Sequence, residues 1–186
     1  MPASVEFFKQ FTGRYFVETG TYQGQGVEMA LAAGFSVIHS VELSPMLQNR
    51  NRRKFARNPN VHLYQGESAE HLDTILKVID APAVFWLDAH YSGGETAKGP
   101  ETSPLRKELE LIRRHPVKGH TILVDDRRHF GTVHFDYVTD EQIREKILAI
   151  SPGYTFSYQT GSTAQAEYQN DVLVAVHGAI SSVKAA

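Results

Sequence analysis

Residues 15–26 read Tyr-Phe-Val-Glu-Thr-Gly-Thr-Tyr-Gln-Gly-Gln-Gly. A short apolar run ends in Glu18, three glycines follow at Gly20, Gly24 and Gly26, and a helix-like segment comes next. Glycine adopts positive φ freely and allows close approach of a ligand, while the start of a helix presents unpaired N–H groups. A strand, a glycine turn and a helix in this order predict the ligand-binding corner of an α/β domain.

The segments after this stretch continue the alternation of strands and helices. We predict further strands at 37–42, 61–65, 83–87, 121–124, 154–158 and 172–176. We predict helices at 4–11, 25–33, 45–56, 68–79, 104–115 and 141–150, with Asp140 as the N-cap of the last. Such alternation is typical of a parallel sheet with helices on both faces, so residues 1–186 are expected to form one domain that opens with a helix within 1–12.

Composition excludes several kinds of protein. The 186 residues include no cysteine, which rules out disulfides, thiolate metal ligands and a cysteine nucleophile. The formal net charge of −2 and the lack of a lysine or arginine tract indicate no nucleic-acid partner. No apolar run reaches the ~20 residues that span a bilayer and no signal-peptide pattern is present, so we expect a cytoplasmic protein with no membrane partner.

Acidic residues follow most of the predicted strands at the point where each strand ends. They are Glu18, Glu42, Glu67, Asp88 and the pair Asp125-Asp126. In open α/β sheets, ligands bind at the carboxyl ends of the strands, so these carboxylates are expected to line one site. Any single acid of this kind can instead cap the helix that follows it, but capping accounts poorly for all of them together.

Glu42 and Glu18 indicate an adenosine ligand that carries a positive charge. Glu42 ends the second strand 22 residues after Gly20, where a carboxylate can bind both hydroxyls of a ribose. Glu18 lies beneath the glycine turn, where its charge would oppose a phosphate and would suit an ammonium or sulfonium group. The pattern E-x-G-x-x-x-G-x-G also departs from the dinucleotide fingerprint G-x-G-x-x-G, so the sequence favours S-adenosylmethionine over NAD.

Four ordered motifs resemble those of the class I S-adenosylmethionine-dependent methyltransferases. They are Glu18-Thr-Gly20-Thr-Tyr-Gln-Gly24-Gln-Gly26, Ser40-Val-Glu42-Leu-Ser, Gly66-Glu67-Ser68 and Phe85-Trp-Leu-Asp88-Ala-His90. The resemblance spans roughly residues 13–177. It implies a Rossmann-like three-layer α/β sandwich whose seven-stranded sheet is mostly parallel with an antiparallel last strand. It also implies O-methylation of a small hydroxylated acceptor, a sugar or related metabolite.

The resemblance further implies a set of cofactor-binding residues. The three glycines of the opening stretch would lie against the methionine portion, Glu42 on the ribose, and Glu67 with Ser68 at the adenine. The full set is Glu18, Thr19, Gly20, Gly24, Gly26, Glu42, Leu43, Glu67, Ser68 and Asp88.

Asp88, Asp125 and Asp126 form a candidate metal site. They follow the fourth and fifth strands, and adjacent parallel strands would bring their carboxylates together. Clustered carboxylates repel unless a cation or a proton intervenes, and Mg²⁺ prefers oxygen ligands of this kind. The arrangement is similar to that of catechol-type and sugar O-methyltransferases, although Asp126 stands where Asn is more usual. The alternative is that Arg127, Arg128 or a nearby lysine pairs with one of the two adjacent acids.

His90 and Asp88 are the candidate catalytic residues. His90 lies two residues beyond a buried strand, and histidine titrates near neutrality, so we take it as the general base. His129 and Tyr91 are alternatives, as is a structural role for His90 beside a neighbouring acid. Residues 91–103 form a loop much longer than the usual ~2–6 residues, and we predict that it is a mobile lid over the acceptor.

Two other functions stay open at this point. One is a nucleotide-dependent oxidoreductase on a Rossmann-like fold, and the other is a protein that binds an adenosyl ligand without catalysis. The chain has little room for a separate substrate domain. The acceptor pocket is therefore expected to come from loops 91–103 and 127–139, the N-terminal helix, or a second subunit of a homodimer. The sequence names no acceptor, because one fold hosts many reactions.

Overall fold

A computed structural model describes residues 4–11, 13–89, 102–162 and 167–178 of the chain. Within these ranges the strands are β1 (Tyr15–Thr19), β2 (Val37–Glu42), β3 (Val61–Gln65), β4 (Ala83–Leu87), β5 (Thr121–Val124), β6 (Tyr154–Ser162) and β7 (Glu167–His177). The helices are α1 (Val5–Phe8), α2 (Gln25–Ala33), α3 (Pro45–Lys54), α4 (Ser68–Leu76), α5 (Leu105–Arg114) and α6 (Asp140–Ile150). Short 3₁₀ turns lie at Arg127–His129 and Val133–Phe135.

The strands form one seven-stranded sheet in the order β3-β2-β1-β4-β5-β7-β6. The neighbours among β1 to β5 are parallel, and β7 runs antiparallel to both β5 and β6. The predicted mostly parallel sheet with an antiparallel last strand is confirmed. The chain leaves β1 in one direction toward β2 and later returns to β4 on its other side. Such a reversal opens a crevice at the carboxyl ends of the strands.

The sheet carries helices on both faces because successive side chains of each strand point to opposite sides. In β1, Tyr15 and Val17 belong to the core under α4, α5 and α6, whereas Phe16 belongs to the core under α1 and α2. In β4, the Trp86 indole packs edge-on against the Phe8 ring, with 5.3 Å between the ring centroids. Burial on both faces is the reason that these strands read as continuous apolar runs.

The predicted N-cap of α6, Asp140, is wrong, and the preceding Thr139 caps this helix. The Thr139 hydroxyl accepts a hydrogen bond from the Gln142 N–H, and the Gln142 side chain accepts one from the Thr139 N–H. This reciprocal capping box fixes the boundary one residue earlier than predicted. The Asp140 carboxylate instead accepts hydrogen bonds from Arg127 and Tyr158.

Three helices are shorter than predicted. The first covers only Val5–Phe8 of the predicted 4–11, α3 ends at Lys54 rather than near 56, and α4 ends at Leu76 rather than near 79. After α4 the backbone closes a tighter turn, in which the Ile79 N–H donates to the Leu76 carbonyl at 3.3 Å. The apolar spacing that extended the predicted helix therefore reflects burial of Ile79 after the helix has ended.

The final hairpin is longer than predicted and projects beyond the sheet. β6 was predicted at 154–158 and extends to Ser162, and β7 was predicted at 172–176 and begins already at Glu167. β7 pairs with β5 only over Leu173–Ala175, with Leu173 opposite Val124. The preceding residues of β7 therefore continue past the carboxyl end of β5. We call residues 158–162 and 167–172 the arm.

The described helices include none that is long and apolar enough to cross a membrane.

Candidate active site

The glycine turn packs directly against the end of β4. Gly20 has φ +88, and a Cβ atom placed on it would lie 2.6 Å from the backbone carbonyl oxygen of Asp88. The Gly20 N–H donates to the Val41 carbonyl at 2.9 Å, which ties the turn to β2 as well. Only glycine satisfies both the backbone conformation and the close approach. The turn and Asp88 are therefore held together at the crevice of the sheet.

Glu18 is buried beneath the first turn of α2. Its side chain is 2% exposed and accepts a 2.5 Å hydrogen bond from the Ser40 hydroxyl, which lies 2.6 Å from the Thr21 hydroxyl. A Cβ atom at Gly26 would come within 1.8 Å of Glu18 Oε1, so a side chain at this point of α2 has no room. Burial raises the pKa of Glu18 to about 8, and the negative charges of Asp88 and Glu42 add to the shift. Glu18 therefore supports the floor of the crevice.

Glu42 is held in one orientation by two backbone groups. Its Oε2 accepts a hydrogen bond from the Tyr22 N–H at 2.7 Å, and its Oε1 accepts one from the Ser44 N–H at 2.8 Å. Burial raises its pKa, and these backbone hydrogen bonds oppose the shift. A carboxylate oxygen can accept more than one hydrogen bond, so acceptor capacity remains on both oxygens.

The loop between Gly20 and α2 is held by side chains of α3 that the sequence did not single out. Asn51 Nδ2 donates to the Tyr22 carbonyl at 2.8 Å, and Lys54 Nζ donates to the Gln23 carbonyl at 2.8 Å. The Asn51 side chain lies on the buried face of α3. A polar residue on a buried helix face is a signal of a structural or binding role, but the sequence shows it only once the buried face of the helix is known.

The remaining predicted cofactor residues lie along the same edge of the sheet. Thr19 is the buried last residue of β1, and the Leu43 carbonyl accepts a hydrogen bond from Gln65 Nε2 at 3.1 Å. Glu67 is half-buried and precedes α4 without a side-chain capping bond. Ser68 begins α4, and its hydroxyl donates a hydrogen bond to the Glu108 carboxyl group of α5.

Asp88, Asp125 and Asp126 meet as the strand order predicts. Each offers a carboxylate oxygen, and the three oxygens lie within 4.8 Å of one another. Asp125 is 3% exposed, and its Oδ1 has no hydrogen-bond partner among the described residues. The Trp86 indole N–H bonds to Asp88. Burial raises the pKa of Asp88 and of Asp125 well above the ordinary range, and the neighbouring carboxylates raise both further.

The arginine pairing that the sequence left as an alternative also exists. Arg128 forms ion pairs with Asp126 and with Asp171 of the arm, and its guanidinium lies 4.2 Å from the centroid of the Tyr168 ring. Arg127 pairs with Asp140 in the same way on the neighbouring side. No sequence pattern predicts the Arg128–Asp171 contact, since it joins positions 43 residues apart.

The candidate base, His90, lies outside the described residues. So does the predicted lid, residues 91–103, apart from Thr102 and Ser103 at its end. The Ser103 N–H donates to Asp136 Oδ2 at 3.0 Å, which ties the end of this segment to the loop after β5. His129 stands on that loop, with its ring centroid 4.9 Å from that of His134. The loop also exposes Val133 and Tyr137. The segment that follows Asp125 and Asp126 along the chain therefore carries both imidazole rings and exposed apolar side chains.

No family model and no curated protein matches the chain. Solved structures do match it. The O-methyltransferase from Bacillus cereus in complex with S-adenosylhomocysteine (SAH) is 17% identical, with a TM-score of 0.65 over 93% of this chain and 78% of the other. The O-methyltransferase TomG from Streptomyces achromogenes, in complex with S-adenosylmethionine, is 13% identical, with a TM-score of 0.62 over 94% of this chain and 78% of the other. Cofactor-bound Rv0187 from MTB is 17% identical, with a TM-score of 0.58 over 88% of this chain and 72% of the other.

These similarities cover nearly the whole chain, and at such identities they establish the fold rather than the reaction. The sheet order, the antiparallel last strand and the glycine turn at the crevice agree with them. The chain has the fold of the class I S-adenosylmethionine-dependent methyltransferases.

Proposed function

We propose that the chain is an S-adenosylmethionine-dependent methyltransferase that methylates a hydroxyl group of a small acceptor, a sugar or related metabolite, with assistance from a divalent cation. One observation carries the proposal: the glycine turn and the acid cluster meet at Asp88, whose backbone packs on Gly20 and whose side chain joins Asp125 and Asp126. A donor bound by the turn and an acceptor bound at the acids would face each other there.

Methyl transfer is an in-line displacement at the methyl carbon of the sulfonium. The acceptor oxygen forms a bond to this carbon while the carbon–sulfur bond breaks, and SAH is left. The hydroxyl proton passes to a base, for which His90 is our candidate from the sequence. Since the sulfonium is already activated, the protein contributes chiefly by aligning donor and acceptor.

The residues at the acid cluster fit a divalent cation. Carboxylate oxygens are the ligands that Mg²⁺ and Ca²⁺ prefer, and the unpartnered Oδ1 of the buried Asp125 leaves an oxygen available to a ligand. We propose Asp88, Asp125 and Asp126 as the residues that would hold the ion. When bound, it would lower the proton affinity of the acceptor hydroxyl. Because Arg128 pairs with Asp126, metal binding has to compete with this ion pair.

Metal binding is expected to change the fluorescence of Trp86, the single tryptophan of the chain, because its indole N–H bonds to Asp88. Titration of EDTA-treated protein with Mg²⁺, Mn²⁺ or Ca²⁺ should give a saturable fluorescence change. It should also stabilise the protein by about 2.7 kcal/mol at a hundredfold excess over Kd. Asp125→Asn should remove both responses. A wild-type protein whose fluorescence and thermal stability ignore all three ions would rule out the metal.

Glu42→Ala is expected to weaken SAH binding by about 10–100-fold, since hydrogen bonds to a charged group contribute roughly 1.5–3 kcal/mol. Calorimetry should show that the wild type binds SAH and does not bind NAD. The Glu42→Ala variant should keep its native fold. Glu145→Ala is the matched control, because Glu145 is an exposed glutamate of α6 that lies outside the predicted cofactor residues. Binding of NAD alone would overturn the proposed function in favour of an oxidoreductase, and unchanged affinity in Glu42→Ala would remove Glu42 from the site.

A further inference from the structure

Glu108 is a buried carboxyl group for which the proposed reaction has no use. It lies on α5 in line with the apolar residues Leu105, Leu109 and Ile112, and it is 1% exposed. A carboxyl group on the buried stripe of an amphipathic helix is costly unless hydrogen bonds compensate for its lost hydration. The Ser68 hydroxyl supplies such a bond, donating to Glu108 Oε1 at 2.5 Å.

This hydrogen bond determines what the Ser68 hydroxyl can offer to a ligand. A serine hydroxyl has one proton to donate and two lone pairs that accept. Because the proton is directed to Glu108, only lone pairs remain for a group that binds beside Ser68. Such a group must therefore be a hydrogen-bond donor. The 6-amino group of adenine is a donor, whereas the 6-oxo group of hypoxanthine is an acceptor that would face another acceptor.

We propose that Glu108 makes the adenosyl site selective for a 6-amino purine over a 6-oxo purine by fixing the Ser68 hydroxyl as an acceptor. This inference rests on the proposed function and on the expectation from the sequence motifs that Ser68 lies beside the adenine of the cofactor. Glu108 acts through Ser68 and is a positioning residue. It ties the start of α5 to the start of α4 at the crevice, so its effect reaches the ligand without contact.

The titration of Glu108 gives the proposal a signature in pH. Burial raises its pKa to about 7, and the hydroxyls of Ser68 and of Thr19 oppose the shift. These are the polar groups that face it from α4 and β1, and no ion pair among the described residues includes it. A protonated Glu108 can itself donate to Ser68, which frees the serine proton for an acceptor on the ligand. Selectivity should therefore be greatest above neutrality and should fall in acid.

The test compares the Kd of SAH with that of S-inosylhomocysteine, its 6-oxo analogue, by calorimetry. At about pH 8 the wild type should bind SAH at least roughly tenfold more tightly, and this ratio should shrink at about pH 5.5. Glu108→Gln should lower the ratio several-fold and remove its pH dependence, since an amide both donates and accepts. Glu110→Gln, on the exposed face of the same helix, should behave like the wild type.

Each outcome separates this inference from the proposed function. A wild type that does not bind SAH defeats both. A wild type that binds SAH, with a Glu108→Gln variant that keeps the ratio and its pH dependence, overturns the role of Glu108 and leaves the function intact. Equal weakening of both ligands in that variant also overturns it, since it indicates only structural support. If Glu108→Gln does not fold, the wild-type series decides, because a ratio that stays constant with pH contradicts the proposal.

Discussion

Asp88→Asn is expected to lower kcat by about 10²–10³-fold while changing the Kd of SAH less than about threefold. Asparagine keeps the shape of the side chain and an oxygen that can accept the hydrogen bond of the Trp86 indole. It removes the negative charge that we assign to holding the cation beside the acceptor. The loss should therefore fall on turnover and not on binding of the donor. Steady-state kinetics together with calorimetry give the two numbers.

The same substitution should stabilise the metal-free protein. Asp88 is one of three carboxylates that repel each other in a desolvated cleft, and an amide at this position can donate to the unpartnered Asp125 Oδ1. A gain in unfolding free energy together with a loss of activity is the pattern expected of a site that is strained for function. Asp73→Asn, at an exposed position of α4 that pairs with Lys77, should change neither quantity. Retention of more than about a third of the wild-type kcat in Asp88→Asn would contradict the role of this carboxylate.

The core strands were predictable from sequence because burial on both faces leaves little choice of residue. The run 83–87 is apolar throughout, and its flanks, Pro82 and Asp88, cannot continue a buried strand. The arm was not predictable for the opposite reason. Its polar residues Gln159 and Glu167 become strand only because the two halves of a hairpin pair with each other, Gln159 with Val172 and Glu167 with Ser162, so propensity alone does not identify them.

The candidate active site likewise contains contacts that the sequence predicts and contacts that it does not. That Asp88 and Asp125 would meet followed from strand order, since both end neighbouring parallel strands. The partner of Arg128 did not follow, because Asp171 reaches it only through the return of β7 along β5. Glu108 had a readable signal, a charge within the apolar stripe of a predicted helix, but its partner Ser68 lies 40 residues away. Sequence pattern locates the edge of the sheet where chemistry occurs, and long-range pairing decides what each side chain does there.

A second set of buried polar residues lies at the opposite edge of the sheet, where β4 and β5 begin. The Ala83 N–H donates to His120 Nδ1 at 3.1 Å, so the proton of this ring is on Nε2. His120 Nε2 lies 3.2 Å from His115 Nδ1, and His115 Nε2 lies 2.9 Å from the Leu76 carbonyl. The Ala83 N–H and the Leu76 carbonyl therefore fix the tautomers of both rings. All three hydrogen bonds of this row form only when His120 and His115 are both neutral.

Acid is expected to destabilise the protein through this pair. Burial, with a further contribution from His115, lowers the pKa of His120 to about 4 from its ordinary 6.5. A histidine with a lowered folded pKa contributes its full stability above about pH 6.5 and loses it as the pH falls toward about 4. The loss for a shift of this size is about 3 kcal/mol. Burial lowers the pKa of His39 to about 4 as well, so a second group adds to the slope.

His120→Asn isolates the contribution of the pair. The Asn oxygen can still accept from the Ala83 N–H, but the side chain does not titrate, so the variant should be less stable than the wild type near pH 7.5 by about 1–2 kcal/mol. Between about pH 7.5 and 4.5 this deficit should shrink by about 2–3 kcal/mol and vanish or reverse, as measured by urea denaturation. Ile112→Val, in the same core, should show a deficit that does not vary with pH. A deficit in His120→Asn that is equally constant with pH would show that folding does not lower the pKa of His120. Because the pair lies at the edge remote from Gly20 and Asp88, the affinity of the folded variant for SAH should match that of the wild type.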